Sequence, residues 1–172
     1  MAKKPSLVER HIAALEDLAK TTTVEAGWLE TARYKAGMGG NGKPIPQRQI
    51  GQPIAKIMRI QEFGAFVKRG DKVIVIPARP AMRLAWSNFR KNRKTIQGAI
   101  ARDLINGKIN ARQALGQIGL ALEGEIVKSI KYGGWTPNAK ATIKRKGFDK
   151  PLIDSSQAWQ AVTSQVVDSS SN

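Results

Sequence analysis

The chain has 172 residues, with 29 Lys and Arg against 13 Asp and Glu, one His and no Cys, for a formal charge of +16. The missing cysteine excludes disulfide frameworks, cysteine-ligated zinc, iron–sulfur clusters and thiol catalysis, and a single histidine excludes any one-chain site that needs two. The length fits one domain, the 41% hydrophobic content suffices for a core, and the positive excess points to a polyanion or an acidic protein as partner.

Ser6 and Glu9 have the spacing of a capping box, so a first helix starts there. Val8, Ile12, Leu15 and Ala19 continue it as one apolar stripe, with His11 beside the stripe as a partly exposed surface histidine. The basic start Met1–Pro5 leads straight into this amphipathic helix and lacks the continuous apolar core of a signal peptide. The longest apolar runs, Val73–Pro77 and Ile118–Leu122, fall far short of the roughly 20 residues that cross a bilayer. A soluble protein made in a cytoplasm is therefore expected.

Thr21–Thr23 breaks the helical pattern. Val24, Ala26 and Trp28 then alternate with Thr23, Glu25 and Gly27, which predicts a strand over Thr23–Leu29 whose polar face can continue to Arg33. Ala36–Gln52 holds Gly37, Gly39, Gly40, Gly42, Pro44, Pro46 and Gly51 together with Lys43 and Arg48. It reads as a flexible basic loop that becomes ordered in an assembly. It is no phosphate-binding P-loop, because Gly42-Lys43 is followed by Pro44 rather than Ser or Thr.

Pro53 opens a short helix with Ile54, Ile57, Met58 and Gln61 on one face, and Gly64 ends it, flanked by Phe63 and Phe66. Arg69-Gly70-Asp71 reads as a turn. Lys72–Ile76 follows as a β-branched strand, too apolar to be exposed on both faces. A long helix is expected from Ala81 to Asn106, with Met82, Trp86, Phe89, Ile96, Ile100 and Leu104 on a stripe that only Arg93 interrupts. Gly107 is placed to cap it. Asn110 and Gln113 start the next helix, which Ala111, Leu115, Ile118, Leu122 and Ile126 carry to about Tyr132. The short link makes the two an antiparallel hairpin. Gly116, Gly119 and Gly124 inside the second helix each cost about 1 kcal/mol relative to Ala, and close helix approach is the expected compensation.

Gly133-Gly134 breaks that helix. Thr136-Pro137 predicts an N-cap and first turn for a short basic helix from Pro137 to Lys146, closed by Gly147. Asp154 and Gln157 predict another capping box, with Ile153 and Ala158 as a hydrophobic staple. A last strand spans Ala161–Val167, and Ser169–Asn172 is expected to fray. The whole reads as an α+β fold, with a small antiparallel sheet packed by amphipathic helices that include the long antiparallel hairpin. Residues 1–168 are expected to form a single domain with the flexible Gly/Pro-rich loop at 36–52, and residues 169–172 a disordered tail.

The carboxylates are few and scattered. Glu16 and Asp17 are adjacent, and Glu123 and Glu125 lie two apart, so neither pair converges on a helix. No acid has Lys at the second position after it, as a nuclease strand of the restriction type would require, and no Gly-x-Ser-x-Gly elbow is present. The expectation is a protein that is not an enzyme, with no catalytic residues, metal or cofactor. Two basic runs stand out: Arg90, Lys91, Arg93 and Lys94, then Lys140, Lys144, Arg145, Lys146 and Lys150, near Trp86, Phe89 and Trp135. With no base-reading module beside them, they fit sequence-nonspecific DNA binding.

Three stretches carry a family resemblance. Gly134-Trp135-Thr136-Pro137 through Lys146-Gly147 to Pro151-Leu152-Ile153-Asp154 resembles the closing region of tail-completion and head–tail joining (neck) proteins of long-tailed bacteriophages. Gln61-Glu62-Phe63-Gly64 is similar to the Glu-Phe-Gly turn of that family, and Ile76–Arg83 to its Ile-Pro-Ala-Arg-Pro segment before a long helix. Order and spacing agree as well, and together the stretches cover about half the chain between Pro53 and Val167. Ser155-Ser156 stands where the family usually has Thr-Gly, and the 36–52 loop is outside its pattern.

The resemblance implies a noncatalytic virion protein, made in the bacterial host cytoplasm and placed in the neck at the head-proximal end of the tail. It implies a homo-oligomeric ring, commonly a hexamer, that joins the tail tube to the portal and connector proteins and lets DNA pass. It also implies an antiparallel sheet with helices packed on it. On this view Lys43, Arg48, Arg79, Arg83, Trp135, Lys144, Arg145 and Lys146 are the candidate assembly or partner contacts. The alternative is a sequence-nonspecific basic DNA-binding protein.

Overall fold

The structure, a computed structural model, describes residues 5–168. The basic start at 1–4 and the frayed tail expected at 169–172 lie outside the described residues. In chain order the elements are α1 (Leu7–Lys20), β1 (Thr21–Gly27), a 3₁₀ turn (Gln47–Gln49), α2 (Ile54–Phe63), β2 (Ala65–Arg69), β3 (Lys72–Ile76), α3 (Ala81–Ile105), α4 (Ala111–Tyr132), α5 (Lys140–Lys146), α6 (Gln157–Gln160) and β4 (Thr163–Asp168). The fold is α+β. Two separate two-stranded antiparallel sheets, β1·β4 and β2·β3, stand where one was expected, and α3 and α4 pack against each other. Among the described residues no helix is long and apolar enough to cross a membrane. The chain gathers into two compact units, each made of separated stretches.

One unit gathers residues 5–26, 87–124 and 163–168. Its helix starts follow the local code. Ser6 N–H donates to Glu9 Oε2 at 2.6 Å and Glu9 N–H to Ser6 Oγ at 3.2 Å. Asn110 and Gln113 repeat the exchange at 2.9 and 2.8 Å, and Asp17 of α1 accepts the Ala111 amide at 2.8 Å. Gly107, at φ +70°, closes α3 as its spacing predicts. The core holds Ile100, Leu104 and Ala114, with Ala14, Leu18, Ile96, Ile109 and Ile118 packed on it.

The first helix corrects the expected stripe. Val8, Ile12 and Leu15 are exposed, whereas Ala14 and Leu18 face the core. Both faces of α1 carry apolar residues at helical spacing, and the sequence pattern does not say which face wins. His11 is half-buried, and its Nε2 has no hydrogen-bond partner among the described residues. Of the three glycines inside α4, only Gly119 meets a close approach, and it is to strands rather than to another helix. A Cβ there would lie 2.5 Å from Ser164 Oγ on β4 and 3.0 Å from Val24 Cγ2 on β1, whereas Gly116 and Gly124 face open space.

The other unit gathers residues 27–86 and 125–162. Helix α2 runs over the expected stretch, with Gly64 as C-cap at φ +74° and Ile54 and Met58 buried, but Pro53 is its extended N-cap rather than a first-turn residue. A Cβ on Gly64 would come within 2.7 Å of the Ile76 carbonyl, so the tight exit from α2 depends on this glycine. The sequence reading missed β2, which pairs with β3 in register from Ala65↔Ile76 to Arg69↔Lys72. The prediction that β3 would be covered on one face is corrected: Val73, Ile74 and Val75 are all exposed. A two-stranded hairpin with no third layer leaves both faces in solvent.

The 36–52 segment is tied down by its own backbone. Ile45 N–H donates to Gly37 O, Gly39 N–H to Lys43 O and Gly51 N–H to Tyr34 O, at 2.8, 2.7 and 2.8 Å, and Tyr34 and Ile45 are buried. Two predicted helix starts are corrected. Helix α5 begins at Lys140 rather than Pro137, behind an Ala139 cap that makes no side-chain bond. Helix α6 begins at Gln157 behind Ser156, at φ +63°, so Asp154 caps nothing there. Gly147 does end α5, in the left-handed region at φ +79°.

Candidate functional site

Two polar knots hold the second unit together, and both sit on candidate residues. Arg79 lies in the irregular link between β3 and α3 and is only 5% exposed. Its Nε donates to Thr136 O at 3.0 Å and its Nη1 to Gln61 Oε1 at 2.8 Å, while Nη2 reaches Pro137 O at 3.3 Å and Asn138 Oδ1 at 3.4 Å. Its backbone N–H donates to Gln61 O at 2.6 Å. Every one of these acceptors is neutral. Burial holds the guanidinium below its ordinary value, and the nearby charge of Asp149 only partly opposes this.

The second knot centres on Glu62, which is 7% exposed and which the sequence marked only as part of the Glu-Phe-Gly stretch, with no site role. Glu62 Oε2 accepts the Met82 amide at 2.9 Å, and Oε1 accepts the Arg83 amide at 3.2 Å and Arg83 Nε at 3.1 Å. Arg83 Nη2 donates to the Glu62 carbonyl at 3.0 Å, and its guanidinium lies over the Phe63 ring, 5.4 Å from the centroid. The carboxylate thus caps α3 from a residue 20 positions away in the chain. No local motif announces such a cap.

The remaining basic candidates divide in two. Lys146 is 4% exposed; its Nζ donates to Lys150 O at 2.7 Å and lies 4.9 Å from the Phe148 ring centroid. Burial pushes its ammonium pKa down, with Asp154 opposing and Arg145 and Arg79 adding to the effect. Arg145 pairs with Asp154 at 3.3 Å, and its carbonyl accepts Asn41 Nδ2 at 2.8 Å. Trp135 is half-buried against Gly133 and donates from Nε1 to Ser129 O at 3.0 Å. Lys43, Arg48 and Lys144 are exposed.

These residues surround an open groove of about 570 Å³. One wall is β3, through Ile74, Val75 and Ile76. Helix α2 supplies Ile57, Met58 and Gln61, and α5 supplies Thr142, Arg145 and Lys146. The 36–52 segment adds Arg48 and Gln49 next to Tyr34, and Leu152–Asp154 closes the lining. Burial raises the Tyr34 hydroxyl above its usual value, and the charge of Asp154 adds to the rise. Asp154 is the single carboxylate in a lining that includes Arg48, Arg79, Arg145 and Lys146. The lining thus combines apolar walls with an excess of cationic side chains. Of the eight candidates, the groove brings together Arg48, Arg79, Arg145 and Lys146; it does not include Lys43, Arg83, Trp135 or Lys144.

Compared with protein families, curated proteins and solved structures, the chain matches none.

Proposed function

We propose that the protein is a noncatalytic virion component of a tailed bacteriophage, a tail-completion or head–tail joining subunit. In this role it forms a homo-oligomeric ring, most simply a hexamer, in the neck, contacts tail-tube and connector proteins, and lets DNA pass. The observation that carries the reading is the convergence of the three resembling stretches. Gln61-Glu62, Arg79 to Arg83 and Thr136 to Asn138 are far apart in sequence, yet the bonds of Arg79 and Glu62 tie them into one cluster. Residues that share a motif pattern and also one hydrogen-bonded cluster are those a common fold needs. The test is microscopy of virions from the source phage, with mass measurement of the purified protein at low and high salt. Rings at the tail's proximal end are expected, favoured by salt that screens the mutual repulsion of +16 subunits. A strict monomer absent from particles overturns the proposal.

A second reading, sequence-nonspecific DNA binding, draws on α3. Arg90, Lys91, Arg93 and Lys94 are all exposed there, and of the four only Arg93 falls on the line of the apolar stripe. Binding of that kind weakens with salt at a log–log slope of about −0.9 per duplex phosphate contacted. A preference for one short sequence that survives high salt would contradict it.

A further inference from the structure

The β2–β3 hairpin closes through a two-residue turn, Gly70-Asp71, so Arg69↔Lys72 is its closing pair. In an antiparallel ladder closed this way the paired residues alternate between bonded and non-bonded positions. Val67↔Ile74 and Ala65↔Ile76 therefore carry the ladder bonds. Val73 and Val75 turn their N–H and C=O groups away from β2. No backbone bond joins β3 to any described segment other than β2.

That free edge opens into the groove. Ile74, Val75, Ile76 and Pro77 line it consecutively, and no β2 residue does. Side chains alternate between faces along a strand, so one face would contribute every second residue. Consecutive lining means that the strand meets the groove edge-on. The facing walls are helical, from α2 and α5. A free strand edge opposite helices is the arrangement in which an extended peptide adds as a further strand, with alternate side chains entering the groove.

The two hairpin edges also differ in protection. Strand β2 ends in Lys68-Arg69, the kind of charge that blocks edge pairing, whereas β3 has nothing charged between Lys72 and Pro77. Val73 is 55% and Val75 59% exposed.

We infer that the groove beside β3 is a docking site for an extended segment of an acidic partner protein, which pairs its backbone with Val75 in the groove and with Val73 just beyond its lining. The charge of the lining selects the occupant: four cations against the one carboxylate of Asp154. A second copy of this chain fits poorly, because pairing through its own β3 edge would set its cationic lining, Arg48 and Arg145 included, against the same charges, and pairing through its β2 edge would bring Lys68 and Arg69 there. At about 3.4 Å per residue the exposed part of β3 accommodates a segment of about four or five residues. This inference does not rest on the neck reading. Either can fail while the other stands, since one is tested by peptide binding and the other by ring assembly and presence in particles.

The experiment is selection of a displayed random nonapeptide library against the full chain, followed by fluorescence anisotropy with the enriched peptide. Enriched sequences should alternate Val, Ile, Thr or Tyr with other residues and carry Asp or Glu. Val75→Pro removes an N–H that the ladder does not use, at an edge where proline is tolerated. It should weaken binding at least tenfold while leaving the circular dichroism spectrum unchanged. Arg48→Glu should weaken binding several-fold. On the unaltered chain, N-methylation of the peptide at alternate residues should abolish binding, and at the intervening residues leave it intact, a readout that does not depend on how the variants fold. No enrichment, a consensus without acidic residues, or binding indifferent to N-methylation overturns the inference. So does self-association of the chain that Val75→Pro removes.

Discussion

Glu62→Ala should destabilise the protein by about 1–3 kcal/mol, and the figure follows from what the carboxylate holds. It accepts the Met82 and Arg83 amides, two of the N–H groups that a helix start leaves without partners. Loss of a helix cap costs about 0.5–2 kcal/mol. Loss of a negative charge at a partly buried helix N-terminus adds about 0.3–1 kcal/mol, and up to about 2 in favourable geometry. The ion pair with Arg83 adds little, since the Arg83 side chain is 62% exposed and solvent screens it. Glu62→Gln keeps one acceptor but turns an NH₂ toward a backbone N–H, so it should fall between wild type and Ala. Urea unfolding gives the free energies. Amide exchange locates the damage, with Met82 and Arg83 exchanging at least tenfold faster in the Ala variant. An Ala variant within about 0.5 kcal/mol of wild type, the range of ordinary surface changes, would refute the reasoning.

Gly119→Ala should cost about 1–3 kcal/mol despite its better helix propensity, because the new methyl meets Ser164 and Val24. Gly116→Ala faces open space and should gain up to about 1 kcal/mol, and melting curves of the pair separate packing from propensity. Lys146 binds its proton less tightly when folded, so between its folded and ordinary values stability rises with pH; Lys146→Met should flatten that rise in urea melts across the alkaline range. Tyr34, raised by burial, has the opposite sign: its contribution is full below the ordinary tyrosine value and is lost as pH climbs through the folded one, a loss Tyr34→Phe should remove. Asp154→Ala loses a part-exposed pair with Arg145 rather than a helix cap and should cost about 0.2–1 kcal/mol by urea unfolding; a loss above about 2 would restore a capping role.

Which features the sequence made legible depended on the reach of each interaction. The Ser6–Glu9 and Asn110–Gln113 boxes close within three residues, and both form as read. Pro53 and Gly64 bound α2 for equally local reasons. Thr136-Pro137 and Asp154 carry the same kind of local signal, yet distant partners claim their oxygens. Arg79 takes the Thr136 and Pro137 carbonyls, and Arg145 takes the Asp154 carboxylate. On α1 the apolar period was readable but its direction was not, because Ala14 and Leu18 compete with Val8, Ile12 and Leu15 for the core. Strand β2 was hidden because Phe66-Val67-Lys68-Arg69 is short and half charged. The turn at Gly70-Asp71 was visible, but only one of the two strands it joins. The groove draws on separated segments, so no stretch of sequence contains it.

The charge imbalance has a structural side that composition conceals. Glu9, Asp17, Glu62 and Asp149 each accept a backbone N–H, from Ser6, Ala111, Met82 and Asn138 respectively. Anions at those places hold helix starts and a loop, work for which cations are unsuited. Arg79 and Lys146, the two buried cations among the described residues, donate to backbone carbonyls and side-chain amides rather than to carboxylates. Folding therefore uses several of the few acids as caps, Glu62 while it is also paired with Arg83. The uncompensated charge is left on side chains that hold no element together, such as Arg48, Arg90, Lys91 and Lys144, all exposed. That division lets the surface charge follow the demands of a partner while Glu62 and Arg79 keep the fold, and it places the free positive charge where an acidic surface or a phosphate backbone can reach it.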